Sequence, residues 1–403
     1  MNIERNIQMK DTLDLINKQG VSIIIGARNE YPQIAMTICS LMEDMYSSGI
    51  NRWEIIIMDN GSEDETSRFF AWAPESKLGR WQYKYSPRGL VSEGRLRIFY
   101  DPVFSNVGTR NRGLVKARYE NVIFSDAHQI VRQGTVFNVI ATLIKHGGIV
   151  HAPIAWMGAS AENHSAGYQY TYKVGEKIWG TWNKTKVADE AFAIPICGHA
   201  FIAVKKDEFI RLGGYPRAQR VYGGGEPYLD TKYWMCGSTS LMEPNALVYH
   251  LSAGRGYNWH NNDLIHNMFL VSYILGGEKW ADRILITYLN KPGVDKQLLN
   301  TLYNEAVLGG LGDLRHLKHL QKRTFEEVIG IDDNAQMCNT CTKRGFPDPH
   351  TMRSWDYWNE EHLGTHRSFV AEFKLHRDEK GHVYIGNTQI IDPDALQVAN
   401  KYV

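Results

Sequence analysis

The chain has 403 residues, of which 45 are basic and 44 acidic, so its net charge is +1. This length can bury the core of one large domain plus a smaller one. The balanced charge argues against a protein that coats nucleic acid over its whole surface, although it leaves room for a local basic groove. The N-terminus lacks the apolar core of a signal peptide, no apolar run reaches membrane-spanning length, and the five cysteines favour reduced thiols over a disulfide framework. These features predict a cytoplasmic protein with no membrane partner.

Predicted strands and helices alternate along the first part of the chain. The β-branched run Val21–Ile25 predicts a buried strand that ends at Gly26 and leads into a helix reaching about Met45. Further elements are predicted at residues 54–58, 95–101, 121–128 and 146–154 as strands and at 108–118 as a helix. Strands that alternate with helices form parallel sheets. The predicted fold is therefore α/β, with an open, mostly parallel sheet flanked by helices.

The pattern is less regular in the second half. Residues 155–190 are rich in aromatic side chains, which fits either a lid or acceptor platform over a site or a long loop packed by its own rings. Strands are predicted at 199–204 and 245–250, with a helix entered through Gly223–Gly225 between them. Helical segments predominate beyond about residue 290. We therefore predict a main domain at 1–290 and a smaller, mainly helical accessory region at 291–403.

One of the predicted strands ends in two metal-ligand side chains. Asp126 and His128 lie at the end of the strand NVIFSDAH, and alternation across a strand points them to the same side, where they could share a divalent cation. His250 ends another predicted strand and suits a third ligand position. The carboxyl ends of strands are where open α/β sheets bind ligands. The pattern predicts a Mn²⁺ or Mg²⁺ site; the alternative is that Asp126 caps a turn and the histidines are ordinary polar residues.

Two carboxylates follow the triple glycine. Glu226 comes directly after it, where the backbone can approach a substrate closely, and Asp230 lies one helical turn later on the same face. A carboxylate here could accept the proton of a substrate hydroxyl, or stabilise positive charge in a transition state. The alternative for Glu226 is a helix-end carboxylate stabilised by the helix dipole.

Three arginines are candidates for binding anions. Arg110 and Arg112 could pair with phosphate or with the aspartate of the metal motif, and Arg255, flanked by glycines, could clamp a diphosphate when a loop closes. For Arg112 and Arg255 a solvated side chain is the alternative.

Three segments in this order resemble the GT-A glycosyltransferases of family 2. VSIIIGARNE with IIIMDNGSED resembles their nucleotide-binding half, GTRNRG their G-x-x-x-A-R-N-x-G motif with Thr109 in place of alanine, and SDAH their D-x-D or D-x-H metal motif. The resemblance implies a GT-A fold and a nucleoside contact by Asp59. It also implies that the donor is bound by residues of these segments: Gly26, Arg28, Glu30, Asp59, Arg110 and Asn111.

Segments in the second half of the chain make the resemblance more specific, pointing to one group of these transferases. GHAFIAVKKDEFIRLGGYP, GGGEPYLDTKYWMCG and VYH are similar in content and order to segments of the polypeptide N-acetylgalactosaminyltransferases, over about residues 20–285. That family uses D-x-H and a later histidine as metal ligands and carries a W-G-G-E segment, for which this chain has Tyr222 in place of tryptophan. The resemblance implies the ligands Asp126, His128 and His250, the active-site carboxylate Glu226 and a mobile loop around 252–261.

Residues and resemblance together predict a metal-dependent glycosyltransferase. It would move a sugar from a nucleotide-sugar donor, a UDP-sugar, to a hydroxyl on a polymer, and the resemblance favours retention over inversion. The polymer is left open among protein, glycan and a hydroxymethylated base in DNA, and the absence of a Golgi-type anchor suggests a bacterial or viral origin. The alternative from another class is a non-catalytic nucleotide-sugar or carbohydrate-binding protein.

Two cysteines near the C-terminus have part of the spacing of a zinc site. Cys338 and Cys341 form one CxxC pair, with His350 nearby in sequence. A single such pair is also typical of buried or redox-inert thiols, so Zn²⁺ stands as one of two interpretations.

Overall fold

The computed structural model describes residues 2–66, 90–91, 93–157, 167–170, 180–183, 190–194, 196–251, 260–329 and 375–403. Within these ranges the central feature is an eight-stranded sheet with the order β10-β12-β6-β11-β4-β1-β2-β3. Its strands are β1 (Val21–Ala27), β2 (Trp53–Asp59), β3 (Leu96–Tyr100), β4 (Asn121–Ser125), β6 (Ile149–His151), β10 (Phe192–Ala193), β11 (Phe201–Lys205) and β12 (Ser240–Met242).

The sheet is mixed but mostly parallel. β4, β1, β2 and β3 are parallel neighbours, whereas β11 runs antiparallel to both β4 and β6. β1 and β2 are buried along almost their whole length, because helices cover a parallel sheet on its faces and continuous apolar strands suit that position. The predicted open, mostly parallel sheet flanked by helices is confirmed.

Helices connect and cover these strands. They are α1 (Asn2–Gln19), α2 (Gln33–Ser47), α3 (Asn106–Lys116), α4 (Thr135–His146), α5 (Lys206–Leu212), α6 (Gly225–Met235), α7 (Asn261–Gly276), α8 (Glu278–Leu289), α9 (Lys296–Leu320), α10 (Phe325–Ile329) and α11 (Pro393–Ala399). α3 packs on β1 and β2, and its Gly113 allows a close approach, since a Cβ there would lie 2.5 Å from Cγ2 of Ile24. The position of α3 matters because it carries Arg110 towards the carboxyl end of β4.

A second, three-stranded sheet lies beside this end of the main sheet. Its order is β5 (Gln129–Val131), β13 (Val248–His250) and β7 (Ile154–Trp156). The single strand predicted at 146–154 is therefore divided between β6 in the main sheet and β7 in the second. Pro153 stands between them, and a proline lacks the N–H that a continuing ladder would need. Pairing of β13 with β5 brings His250 opposite Gln129, next to His128.

The C-terminal region is helical with a small sheet. α9 packs along α7, and its buried residues Leu299, Leu302 and Ala306 belong to the same apolar core as the main sheet. β14 (Leu375–Arg377), β15 (Val383–Ile385) and β16 (Thr388–Gln389) form the small sheet. The domain boundary predicted at residue 290 falls between α8 and α9 and stays a prediction. None of the helices in the described ranges has both the length and the apolar character needed to cross a membrane.

Candidate active site

A cleft of about 380 Å³ opens at the carboxyl ends of β1 and β4. This volume lies within the range of about 300–1,000 Å³ that is usual for small-molecule sites. Open α/β sheets bind ligands at this edge, because the loops that leave parallel strands diverge there. The residues that line the cleft include Gly26, Arg28, Glu30, Asn60, Phe104, Arg110, Asp126, His128, Trp156, His199, Tyr222, Glu226 and His250.

Asp126, His128 and His250 converge on one wall of this cleft. Each offers a ligand atom, and these atoms lie within 4.8 Å of one another. The Nε2 atom of His250 is 3.3 Å from Oδ2 of Asp126, and the rings of His128 and His250 have centroids 4.7 Å apart. Burial alone would raise the pKa of Asp126, but the hydrogen bond from His250 and the charge of Arg110 outweigh burial and hold that pKa below its usual range. The carboxylate is therefore ionised, as a metal ligand must be.

Glu30 orients His128. Its Oε2 atom lies 3.0 Å from Nδ1 of His128, and a carboxylate on one imidazole nitrogen leaves the other as the ligating atom. Glu30 is itself fixed, because its backbone N–H donates to the hydroxyl of Thr66 at 2.8 Å. The loop after β1 is further attached to the loop after β2, where the N–H of Glu63 donates to the Asn29 side chain at 2.8 Å.

These side chains fit a divalent cation. One carboxylate and two imidazoles are a set that suits Mn²⁺ better than Mg²⁺, which prefers oxygen ligands. Among the described residues, Nδ1 of His250 is buried without a hydrogen-bond partner, while its Nε2 faces Asp126.

Glu226 lies in the first turn of α6 and lines the cleft. Its Oε1 atom accepts a hydrogen bond of 3.4 Å from the backbone N–H of His199. Burial, the largest effect, raises the pKa of Glu226 to about 7. A carboxyl group with a pKa near neutrality can exchange protons with a substrate at physiological pH.

The triple glycine before Glu226 serves packing between helices. Gly223 and Gly224 have φ values of 95° and 81°, a region that favours glycine. A Cβ on Gly223 would lie 2.3 Å from Cδ1 of Leu264, and one on Gly225 would lie 2.5 Å from Cγ1 of Val107. The sequence suggested close approach to a substrate; Gly223–Gly225 line the cleft, and their contacts also bring α6 close to α7 and α3.

Arg110 of α3 is the buried cation beside the three candidate ligands. Its Nη2 donates to Oδ1 of Asp126 at 3.0 Å and to the carbonyl of His199 at 2.8 Å, and its Nη1 donates to the hydroxyl of Tyr215 at 3.2 Å. Arg112 instead pairs with Asp101 at 2.7 Å. Of the two predicted alternatives for Arg110, the structure has the pairing with Asp126.

Some of the predicted donor-binding residues line the cleft, and others lie just behind its wall. Gly26, Arg28 and Glu30 line the cleft, and Arg28 extends over the ring of Phe104 with its Nη1 donating to the carbonyl of Asn60 at 3.0 Å. Asp59 lies just behind: it is buried and accepts a hydrogen bond of 2.9 Å from the N–H of Ser62, while the next residue, Asn60, reaches the cleft.

Other predicted residues lie elsewhere. Asn111 holds the loop before α6 through hydrogen bonds with the backbone of Tyr215 at 2.9 and 3.0 Å, and it does not line the cleft. Asp230 is fully buried behind the cleft, where it contacts His151 and His199.

Arg255, Cys338 and Cys341, and most of the aromatic stretch 155–190 lie outside the described residues. Trp156 is described, and it lines the cleft.

Two residues that contact the site, His199 and Tyr215, were not predicted from the sequence. His199 lines the cleft, and its Nδ1 is 2.8 Å from the Tyr215 hydroxyl, which in turn contacts Arg110. Both lie in the segment GHAFIAVKKDEFIRLGGYP, whose pattern gives neither of them a role, and 89 positions separate His199 from Arg110. Only the pairing of β11 with β4 brings them together.

Comparison with known proteins agrees with this architecture. Residues 22–213 match the model of the glycosyl transferase family 2. N-acetylgalactosaminyltransferase 7 of Drosophila melanogaster is 26% identical over 258 residues, which are 58% of this chain and 39% of that protein. Polypeptide N-acetylgalactosaminyltransferase 8 of the same organism is 23% identical over 320 residues, 74% of this chain and 48% of that protein. The chain thus matches half or less of the length of these two curated relatives.

A solved structure shares the fold. The crystal structure of GalNAc-T7 with UDP, GalNAc and Mn²⁺ superposes with a TM-score of 0.52 at 17% identity, covering 71% of this chain and 55% of that one. The strand order, the family match and this superposition agree with one another. This protein therefore has a fold similar to that of GalNAc-T7, and its residues 22–213 resemble the glycosyl transferase family 2.

Proposed function

We propose that this protein is a metal-dependent glycosyltransferase that moves a sugar from a UDP-sugar to a hydroxyl group on a polymer. The observation that carries the proposal is the convergence of Asp126, His128 and His250 beside Glu226 in one cleft at the carboxyl end of the sheet. A protein that only binds sugars would not need an ionised three-ligand cluster beside a carboxyl group whose pKa is near 7. The cluster therefore favours catalysis over binding alone.

The negative charge of the diphosphate leaving group explains why the cleft would hold a metal ion. In glycosyl transfer the bond between the anomeric carbon and the phosphate oxygen breaks, and its electron pair leaves with the diphosphate. A divalent cation held by Asp126, His128 and His250 would neutralise that charge. We assign Mn²⁺ rather than Mg²⁺, because two of the three ligands are imidazoles. Arg110 keeps Asp126 ionised and in place through its 3.0 Å ion pair.

Glu226 is the residue that we assign to the reacting sugar. The new bond joins the acceptor hydroxyl oxygen to the anomeric carbon, and the hydroxyl proton must go either to a protein base or to the departing phosphate oxygen. In an inverting reaction Glu226 would take the proton; in a retaining one it would hold the donor and stabilise positive charge on the sugar ring. Resemblance to the polypeptide transferases favours retention.

The acceptor is proposed to be protein. One of the relatives reported above is named a polypeptide transferase, and Trp156 and Tyr222 give the cleft aromatic surface on which a peptide or sugar could pack. Glycan and modified DNA are the other polymers that the sequence suggests, and the sharpest comparison is between protein and DNA. The two differ in salt dependence, because binding of nucleic acid releases counterions and weakens steeply as salt rises.

The direct test is a screen of UDP-sugars for hydrolysis and transfer. We expect release of UDP from one donor in the presence of Mn²⁺, loss of release in EDTA and recovery when Mn²⁺ is restored. Asp126→Ala should lack activity and keep the circular dichroism spectrum of the wild type, with a lower melting temperature because the buried Arg110 loses its ion pair. Metal-independent turnover by this variant would refute the proposal. Binding to a Ser/Thr peptide and to hydroxymethylated DNA at two salt concentrations then identifies the acceptor.

A further inference from the structure

A buried row of hydrogen bonds runs from Asp230 to Asp126. Oδ2 of Asp230 is 3.2 Å from Nε2 of His199, and Nδ1 of His199 is 2.8 Å from the hydroxyl of Tyr215. That hydroxyl is 3.2 Å from Nη1 of Arg110, whose Nη2 is 3.0 Å from Asp126. Asp230, His199, Tyr215 and Arg110 are between 0 and 7% exposed. We call these four residues the buried relay.

The donor and acceptor chemistry gives the buried relay one direction. Arginine has only N–H donors, so the Tyr215 oxygen must accept from Arg110 and its own hydrogen must point to His199. Nδ1 of His199 is then the acceptor, and the proton of this ring lies on Nε2, where it donates to Asp230. Burial lowers the pKa of His199 to about 4, so the ring is neutral and has one proton to place.

The carboxylate of Asp230 determines that arrangement. Its Oδ2 accepts from His199 and from the backbone N–H of Cys197 at 3.0 Å, while its Oδ1 accepts from Ser240 and faces His151, both at 3.0 Å. An ionised carboxylate cannot donate, so it accepts only a ring that carries its proton on Nε2. Asparagine in its place would keep its oxygen towards His199, because the N–H of Cys197 also needs an acceptor there, but it would lack the negative charge that holds the ring proton on Nε2.

We infer that Asp230 is a positioning residue for the metal site, acting through His199, Tyr215 and Arg110 on Asp126. The inference rests on the proposed function, in which Asp126 is a metal ligand. It assigns no contact with substrate to Asp230, which is fully buried and does not line the cleft. Partners behind ligating groups commonly change metal affinity tenfold or more.

A second metal site is the competing interpretation of the same residues. His151, His199 and Asp230 have ligand atoms within 4.8 Å of one another. Hydrogen bonds already account for the atoms that face the centre of this group: Nε2 of both histidines and both oxygens of Asp230. For this reason we favour the relay.

The test measures Mn²⁺ binding by calorimetry with UDP present, so that no turnover is involved. Asp230→Asn and Tyr215→Phe interrupt the buried relay at different points, and each should weaken Mn²⁺ binding by roughly tenfold. Because both substitutions interrupt the same row of hydrogen bonds, the double variant should bind Mn²⁺ no more weakly than either single variant. If each substitution instead damaged the structure independently, their effects on the free energy of Mn²⁺ binding would add. Nitrogen NMR of histidine-labelled protein should show the His199 proton on Nε2 in the wild type, and a proton on Nδ1 would contradict the direction of the buried relay.

Two matched controls accompany these variants. Tyr233→Phe removes a buried tyrosine hydroxyl that has no hydrogen-bond partner among the described residues, and Ser240→Ala removes a partner of the other oxygen of Asp230. Both should bind Mn²⁺ with an affinity within about twofold of the wild type, because a single hydrogen bond contributes little net free energy.

The outcomes separate the relay from the proposed function. Normal Mn²⁺ binding by Asp126→Ala would refute the metal site and the relay with it. Loss of binding in Asp126→Ala together with normal binding in Tyr215→Phe would refute the relay alone, even if Asp230→Asn does not fold. One tightly held zinc in dialysed Asp126→Ala protein would also overturn the relay, in favour of a second metal site.

Discussion

Oε2 of Glu30 lies 3.0 Å from Nδ1 of His128, although 98 residues separate the two in the chain. The contact joins the loop after β1 to the end of β4, so a residue of the segment that we predict to bind the nucleotide controls the orientation of a candidate metal ligand. Glu30 was expected to bind the donor. The structure gives it a contact with the metal cluster as well as a place in the cleft wall.

Replacement of Glu30 by glutamine should weaken metal binding. The amide keeps the size of the side chain but no longer supplies a negative charge to His128, so we expect Mn²⁺ affinity to fall by about 10- to 100-fold. Calorimetric titration with Mn²⁺ measures this. Glu63→Gln is the matched control, because Glu63 is an exposed carboxylate on the adjoining loop. Equal affinities in the two variants would mean that Glu30 does not orient His128.

Glu226→Gln should reduce kcat by about a hundredfold or more, as loss of general-base or electrostatic help usually does. The KM for the donor should change little, since size and hydrogen bonding are retained. Asp207→Asn provides the control: Asp207 is also an acidic residue in the first turn of a helix, but it does not line the cleft. If the two variants lose the same small amount of activity, Glu226 is only a carboxylate that stabilises a helix end. NMR of the product anomer distinguishes retention from inversion.

Asp59→Asn should raise the KM for the donor more than it lowers kcat, which is the pattern expected when uniform binding is lost. Asp59 caps the turn after β2 through the N–H of Ser62 at 2.9 Å, and the turn presents Asn60 to the cleft. Steady-state kinetics with the donor identified by the screen measure both constants. A variant with lower kcat and unchanged KM would contradict the assignment of this strand end to donor binding.

Lys232 should make the free energy of unfolding depend on pH. It is 2% exposed, its Nζ donates to the Gly214 carbonyl and the Tyr228 hydroxyl, and burial lowers its pKa to about 7. An unfolded lysine keeps its proton up to about pH 10.4. Between about pH 7 and pH 10 the unfolded state therefore binds more protons, and stability contributed by this group rises with pH.

Urea unfolding of Lys232→Met at several pH values tests this effect. The increase of unfolding free energy from about pH 7.5 to pH 9.5 should be smaller than in the wild type, by up to about 1.4 kcal/mol per pH unit. Lys318→Met serves as the control, because Lys318 is exposed on α9. An identical slope in the wild type and in Lys232→Met would show that Lys232 has an ordinary pKa.

Much of the fold could be predicted from local patterns. Runs of β-branched residues locate β1, β2 and β4, because strands of a covered parallel sheet are apolar on both faces. The alternation of strand and helix then implies a parallel sheet, and the edge where β4 ends identifies Asp126 and His128 as a candidate site. What these predictions share is that each depends on a few consecutive residues.

Contacts between distant segments depended on the tertiary structure. The sequence determines that Asp126 and His128 follow an apolar strand and that Glu226 opens a helix after three glycines, since those relationships are local. Only the folded chain decides that Glu30 meets His128, that His199 and Tyr215 meet Arg110, and that Asp230 lies behind the cleft instead of within it. The physical reason is that the spacing of residues along a helix tells which of them share a face, as Glu226 and Asp230 do on α6. Whether each of them is buried depends on how α6 packs against strands that are far away in sequence.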